Sequence, residues 1–285
     1  MTPDVQVTQG SAPGYRAGAT LPLRVELVRQ LRRQRTVLTL GFLVLLPFLL
    51  WFAFEIGHDD GKGATLVDLA TASGGNFVVF TMFSTVGFLL VVVVALFFGD
   101  TVAREASWSS LRYLLAAPVP RGRLLRQKAA VAALLSAFAL VLLPTVAMAV
   151  GVVAYGAGDL VSPTGQSLDF LPAATRLAVI PAYLVLHLAW VAGLGLLLSV
   201  TTDTPLGAVG GAVMVSILSQ ILETIEALGD LRDYLPTRFS SAWADLLAAP
   251  VDWNRLASGA FSGLAYAAVF GLAAWWRFAT KDITS

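Results

Sequence analysis

Hydrophobic positions along the chain gather into six long stretches separated by polar loops. They run approximately over Val37–Ile56, Phe77–Phe98, Ala129–Tyr155, Leu177–Val200, Pro205–Ile225 and Leu256–Trp276. A bilayer core takes roughly 20 helical residues, so each stretch is long enough to cross one. The pattern predicts an all-α polytopic membrane protein with six transmembrane helices. Residues 1–20, with Pro3, Pro13, Gly10, Gly14 and Gly18, read as a disordered tail. Residues 21–285 read as a single transmembrane domain. Ahead of the first span, Leu21–Arg35 reads LPLRVELVRQLRRQR. Leu23, Leu27, Val28 and Leu31 share one helical face, with Arg24, Arg29, Arg32, Arg33 and Arg35 among the remaining positions. This predicts a basic amphipathic helix lying in the membrane interface. Pro144 is expected to kink the third span, and the four residues Thr201–Thr204 predict a tight hairpin between the fourth and fifth.

Composition agrees with a membrane setting. Of 285 residues, 57% are hydrophobic and 13% charged, against about 25% charged in soluble domains. The net charge of +1 carries little information, but its distribution carries much. Fourteen of the 19 basic residues precede the first span, lie between the second and third, or follow the sixth. The opposite loops hold Lys62, Arg176, Arg232, Arg238 and Arg255 among many aspartates. By the positive-inside bias, both termini are expected in the cytoplasm, with the first span as the insertion signal. Cysteine is absent, which removes thiolate chemistry and disulfides.

Between the second and third spans, Gly99–Lys128 reads GDTVAREASWSSLRYLLAAPVPRGRLLRQK. Ser107–Ala116 predicts a short helix stopped by Ala117-Pro118-Val119-Pro120, followed by a basic turn leading into the third span. An acidic residue, leucines, a Pro-x-x-Arg and a lysine occur in order at Glu105, Leu111, Leu114, Leu115, Pro118, Arg121 and Lys128. With six spans and the interfacial helix, this resembles the permease subunits of type-2 ATP-binding-cassette exporters. Ser109-Ser110 replaces the Gly-Thr pair of that family. The resemblance implies that Arg104, Glu105, Leu111, Arg112, Leu115, Pro118, Arg121 and Lys128 form a coupling segment for a separate cytosolic ATPase. Two ATPase copies would serve two permease copies, identical or paralogous. ATP and Mg would be bound by that partner, in a bacterial cytoplasmic membrane; no nucleic acid is implied, and membrane lipids are the other contacts.

Polar groups within spans are costly and point to function. Thr81, Ser84 and Thr85 in the second span, and Ser216, Gln220 and Glu223 in the fifth, are candidates for a substrate path, since the permeases this chain resembles line theirs with these two spans. Hydroxyls in this set can equally bond their own helix. The last polar loop, Ala227–Arg255, carries apolar residues including Tyr234, Phe239 and Trp243. It predicts short helices at the outer leaflet, which the resemblance makes an exit gate. Small residues at Gly207 and Gly211, and at Gly259, Gly263, Ala267 and Gly271, predict close helix packing, within one protomer or, for the fifth span, between two. His187, mid-span without acidic neighbours, reads as a hydrogen-bonded structural residue.

No residue is assigned a catalytic or metal-binding role. A P-loop needs lysine followed by Ser or Thr, and Lys62, Lys128 and Lys281 precede Gly63, Ala129 and Asp282. The chain therefore reads as the non-hydrolysing half of an ATP-driven exporter for an amphipathic or hydrophobic substrate. An ion-coupled transporter with Glu223 as its acidic group, or a non-transporting scaffold or sensor, is the alternative.

Overall fold

Ten α-helices are described, in a computed structural model covering residues 22–57, 66–107, 121–161 and 167–280, with the side chains of residues 66, 104–107 and 121 excepted. The expected 1–20 tail lies outside these residues. Helix α1, Leu23–Leu31, stops where Arg33 adopts extended backbone (φ −72°, ψ 132°), and α2, Gln34–Ile56, starts immediately. At 1.5 Å per residue, the 23 residues of α2 reach about 34 Å, enough to cross the bilayer. Most of α2 faces outward; Leu38 is 71% exposed, whereas Thr36, Leu43, Pro47 and Phe54 are buried. Lipid tails are as apolar as leucine, so this exposure carries no hydrophobic penalty.

The second span differs from the single helix that the pattern predicts. It is built from α4, Gly74–Val86, and α5, Leu89–Ser107, bent by 55° at Gly87-Phe88. A short helix α3, Leu66–Thr71, leads into it. Averaged over its length this stretch is apolar enough for a continuous span, so hydropathy cannot reveal the break. Helix α6, Arg121–Tyr155, is longer than expected because the basic turn 121–128 is itself helical; Pro144 lies within α6 without ending it. A two-residue antiparallel ladder follows, Leu160–Val161 with Ser167–Leu168. It is stapled to α4 by Asn76, whose Nδ2 donates to Val161 O (2.7 Å) and whose Oδ1 accepts from Val161 N (2.9 Å).

The fourth span joins α7, Phe170–His187, to α8, Ala189–Thr201, through Leu188. Thr202-Asp203-Thr204 makes the expected hairpin into α9, Pro205–Glu223, and α10, Trp253–Thr280, completes the set. Among the described residues, five helical segments are long and apolar enough to cross a membrane, six when the bent pair is one span. The chain is thus an all-α, multi-pass membrane protein. Two 3-10 segments, Glu226–Tyr234 and Ala242–Leu247, fill the polar loop where short helices were expected.

Helix α8 is central, packing against α5, α9 and α10. Small residues permit this. A Cβ at Gly193 would lie 3.0 Å from Ala267 Cα, and one at Gly263 only 2.5 Å from the carbonyl oxygens of Leu186 and His187. Gly259, Gly263 and Ala267 therefore pack against neighbouring segments of the same chain, whereas nothing lies within 4 Å of a Cβ at Gly271, the last residue of the predicted row. Gly211 faces Leu198 of α8, also internally, while nothing from another helix approaches Gly207.

Candidate functional site

The break in the second span and the polar face of α9 meet. Gly87 occupies the C-cap of α4, where the regular i to i+4 ladder is interrupted. In a bilayer a freed carbonyl finds no water and needs a protein donor. Gln220 supplies it: Nε2 donates to Gly87 O at 2.8 Å and approaches Ser216 Oγ at 3.3 Å. Ser216 is itself buried. The other hydroxyls assigned to a substrate path bond to their own helices. Thr81 Oγ1 donates to Phe77 O, Ser84 Oγ to Phe80 O, and Thr85 Oγ1 to Thr81 O, at 2.7–2.9 Å. Thr81 and Thr85 are buried, while Ser84 is exposed. The structure thus brings Gln220 and Ser216 to the bend, and occupies the threonines with backbone.

Glu223, one turn further along α9, points to the polar loop. Its Oε1 lies 3.7 Å from Arg238 Nη1, and Arg238 Nε also donates to Asp233 at 3.0 Å. Segment 234–239 is held by three spans. Tyr266 of α10 donates through its hydroxyl to Tyr234 O, Tyr183 of α7 to Phe239 O (2.8 Å), and Ser219 of α9 shares a 2.7 Å hydrogen bond with Thr237. Trp243 is buried, its ring 4.6 Å from Phe83 of α4, whereas the Tyr234 side chain is exposed. Arg176 of α7 donates to Leu246 O and Ala248 O, closing the second 3-10 segment. The loop is a cap bonded to the spans beneath it. The sequence named Tyr234, Phe239 and Trp243 but not the grips from Tyr183, Ser219 and Tyr266, because a linear pattern does not show which face of each span meets the loop. His187 sits below, stacked on Tyr183 at 5.7 Å with Nδ1 3.4 Å from Gly259 O, an enclosed position.

At the opposite, basic end, the interfacial helix is tied to the bundle by charge. Glu26 of α1 accepts from Arg29 Nη2 (2.8 Å) and Gln30 Nε2 (3.1 Å), and lies 4.0 Å from Lys128 Nζ of α6. Burial pushes the Glu26 carboxyl upward, but the Arg29 hydrogen bond and the charges of Lys128 and Arg29 outweigh it and hold it below its ordinary value. Asp100 of α5 takes Arg35 at 2.9 Å and Arg33 at 3.7 Å. Arg24 and Arg32 face outward. Ser199 of α8 accepts from Val102 N and Ala103 N of α5 at 2.9 and 3.0 Å.

Lys128 corrects one sequence expectation. It was placed in a coupling loop, yet it sits in the second turn of α6 and is only 6% exposed. A buried ammonium requires an anion, and the lone acid of α1 provides it. Glu26 and Asp100 were missed, although Glu26 is an isolated carboxylate among arginines, a legible signal for an inward-facing pair, and Asp100 ends an apolar run. Of the other coupling residues, Arg104 and Glu105 fall in the last turns of α5 and Arg121 opens α6. Their side chains, and Leu111, Arg112, Leu115 and Pro118 entirely, lie outside the described residues. Just beyond, the Trp275 ring of α10 covers Gly122 and lies 5.8 Å from the Arg126 guanidinium.

A family model described as ABC-2 family transporter protein matches residues 23–203, from the first residue of α1 to the hairpin before α9. Comparison with curated proteins gives no match.

Proposed function

The chain belongs to the ABC-2 family of transporter proteins, and from this premise we propose that it is the permease of an exporter that moves an amphipathic or hydrophobic substrate outward. As a membrane component of such a transporter it works with a separate ATP-binding subunit. In the reading proposed here, two copies of the chain form the path and two ATPases bind ATP and Mg. The ATPases dock under the segment Arg104–Arg121 and alongside α1. Their closure pushes α1 and α6, and the spans rock between inward- and outward-open arrangements. In this reading the membrane is a bacterial inner membrane, and the charge bias supports cytoplasmic termini.

The observation that carries the outward direction is the cap. Segment 234–239 is hydrogen-bonded to α7, α9 and α10 at the end opposite the basic cluster, so spans that separate there must release it. Gln220, Ser216 and Glu223 on α9 connect that cap to the bend in the second span, and the path is assigned along this face. Glu223 is paired with Arg238 at the capped end, which does not favour ion coupling through a lone midplane acid.

Two measurements test this. The chain lacks cysteine, and Ser219 and Thr237 touch through their side-chain oxygens, so Ser219→Cys with Thr237→Cys is positioned to form a disulfide. Oxidation is expected to stop vesicle transport while leaving ATPase binding intact, and reductant to restore transport. Unchanged transport with a confirmed disulfide removes the cap from the exit route. Co-purification with the cognate ATPase, lost on Arg112→Glu plus Arg121→Glu, tests docking; retention of the complex refutes it.

A further inference from the structure

We propose that Ser199 is a positioning residue: it clamps the basic end of α5 to α8, so that displacement of the segment Arg104–Arg121 is passed to the centre of the bundle. Hydroxyls within helices commonly bond a carbonyl of their own helix, as Thr81, Ser84, Thr85 and Thr201 do. Ser199 is fully buried and its oxygen is used differently. Oγ accepts from two successive backbone N–H groups of another helix, Val102 N at 2.9 Å and Ala103 N at 3.0 Å, with Thr101 Oγ1 at 3.4 Å. An N-cap side chain serves the first free donors of a helix in the same manner. Here, however, the oxygen comes from a different span, and the donors lie well past the first turn of α5. A side chain inserted at a helix ladder is a recognised origin of a local joint. At the same level Thr101 Oγ1 donates to Phe98 O at 2.6 Å. The last turns of α5 are thus held by α8 as well as by their own helix.

Close backbone packing fixes the clamp in place. One turn before Ser199, a Cβ at Gly195 would lie 3.2 Å from Phe98 Cβ and 3.4 Å from Gly99 N. A Cβ at Gly99 would lie 2.9 Å from Val209 Cγ2 of α9. Helix α5 is therefore gripped by α8 and α9 immediately ahead of Arg104 and Glu105, which open the segment assigned to ATPase docking. At the other end of α5, Gln220 of α9 holds the bend through Gly87 O. A push on the docking segment then has a polar, directional link to α8, where apolar packing alone would let the helices slide. The transmission rests on the docking reading above; the clamp itself does not.

Hydrogen–deuterium exchange on the full-length chain in lipid nanodiscs tests both. In the chain alone, Ser199→Ala should speed exchange over 101–107 about fivefold, the fold-change that accompanies one typical net hydrogen bond. Thr201→Ala removes a hydroxyl bonded within α8 and should leave that exchange unchanged. Ser199→Cys, whose sulfur is a weaker acceptor, should fall between the two and keeps the test open if Ser199→Ala fails to fold. With the cognate ATPase bound and trapped by ADP and vanadate, wild-type exchange should change over both 101–107 and 189–201. In Ser199→Ala only the change over 101–107 should remain, a split that simple loss of stability would not produce. Unaltered exchange over 101–107 in Ser199→Ala overturns the proposal. So does an equal acceleration in Thr201→Ala, which would mean general loosening of α8, or a trapped complex in which α8 responds alike in wild type and Ser199→Ala. Failure of the wild type to bind any ATPase sinks the docking reading instead, and exchange in the chain alone still decides the clamp.

Discussion

Replacing Gln220 with leucine isolates the bond that pins the bend in the second span. Leucine is close in size, so packing on α9 is retained while the donor to Gly87 O is lost. The contact is short, 2.8 Å, and the second one, to Ser216, is long at 3.3 Å, so the loss is essentially one hydrogen bond. Hydrogen bonds inside membranes average about 0.6 kcal/mol and reach about 1.7. Here the orphaned acceptor sits at an interrupted ladder, away from water, which argues for the upper half, about 1–1.7 kcal/mol. That is roughly a 5- to 20-fold shift in the folding equilibrium. Reversible denaturation in mixed micelles would measure it. A companion variant supplies the opposite lever. Gly87 has helical dihedrals (φ −69°, ψ −27°), and an added Cβ would meet nothing nearer than Gln220 Oε1 at 3.7 Å. Alanine therefore fits and favours continuous helix by about 0.8–1 kcal/mol. If the bend is needed for transport, Gly87→Ala reduces transport without reducing stability. A Gln220→Leu stability within about 0.3 kcal/mol of wild type would refute the bracing role, because even the average membrane hydrogen bond exceeds that.

Other consequences follow from the same geometry. Lys128→Met leaves Glu26 buried with only Arg29 and Gln30, and should destabilise by about 1–3 kcal/mol; adding Glu26→Gln should recover most of it, as a double-mutant cycle would show. Because the Glu26 carboxyl is held below 4.5 in the folded chain, its contribution is complete above pH 4.5 and fades as pH falls through the lower folded value. Denaturation at stepped pH should show that loss in wild type and not in Glu26→Gln. Gly263→Val puts a side chain into the carbonyls of Leu186 and His187, and should destabilise by at least about 1–3 kcal/mol; wild-type thermal stability would contradict the packing. Tyr183→Phe removes the grip on Phe239 O, and limited proteolysis within 226–250 should accelerate with the spans still protected.

The chain by itself determined that six apolar segments cross a membrane, because hydropathy and length are local sums that need no partner. The hairpin Thr202-Asp203-Thr204 and the interfacial helix were legible for the same reason. The motif from Glu105 to Lys128, with the six spans and the helix before them, pointed to the family that the match over residues 23–203 then showed. The bend at Gly87-Phe88 was not legible: a glycine among valines and leucines reads as continuous span, and only Gln220, 133 positions away, makes the broken ladder tolerable. Lys128 shows the same limit, since an arginine-rich turn reads as surface until its partner Glu26 is seen across the helix pair. Which hydroxyls serve the helix backbone, which residues hold the cap and which face of each glycine row is covered were decided only by tertiary structure. Each depends on what lies opposite in space, and a linear pattern carries no record of it.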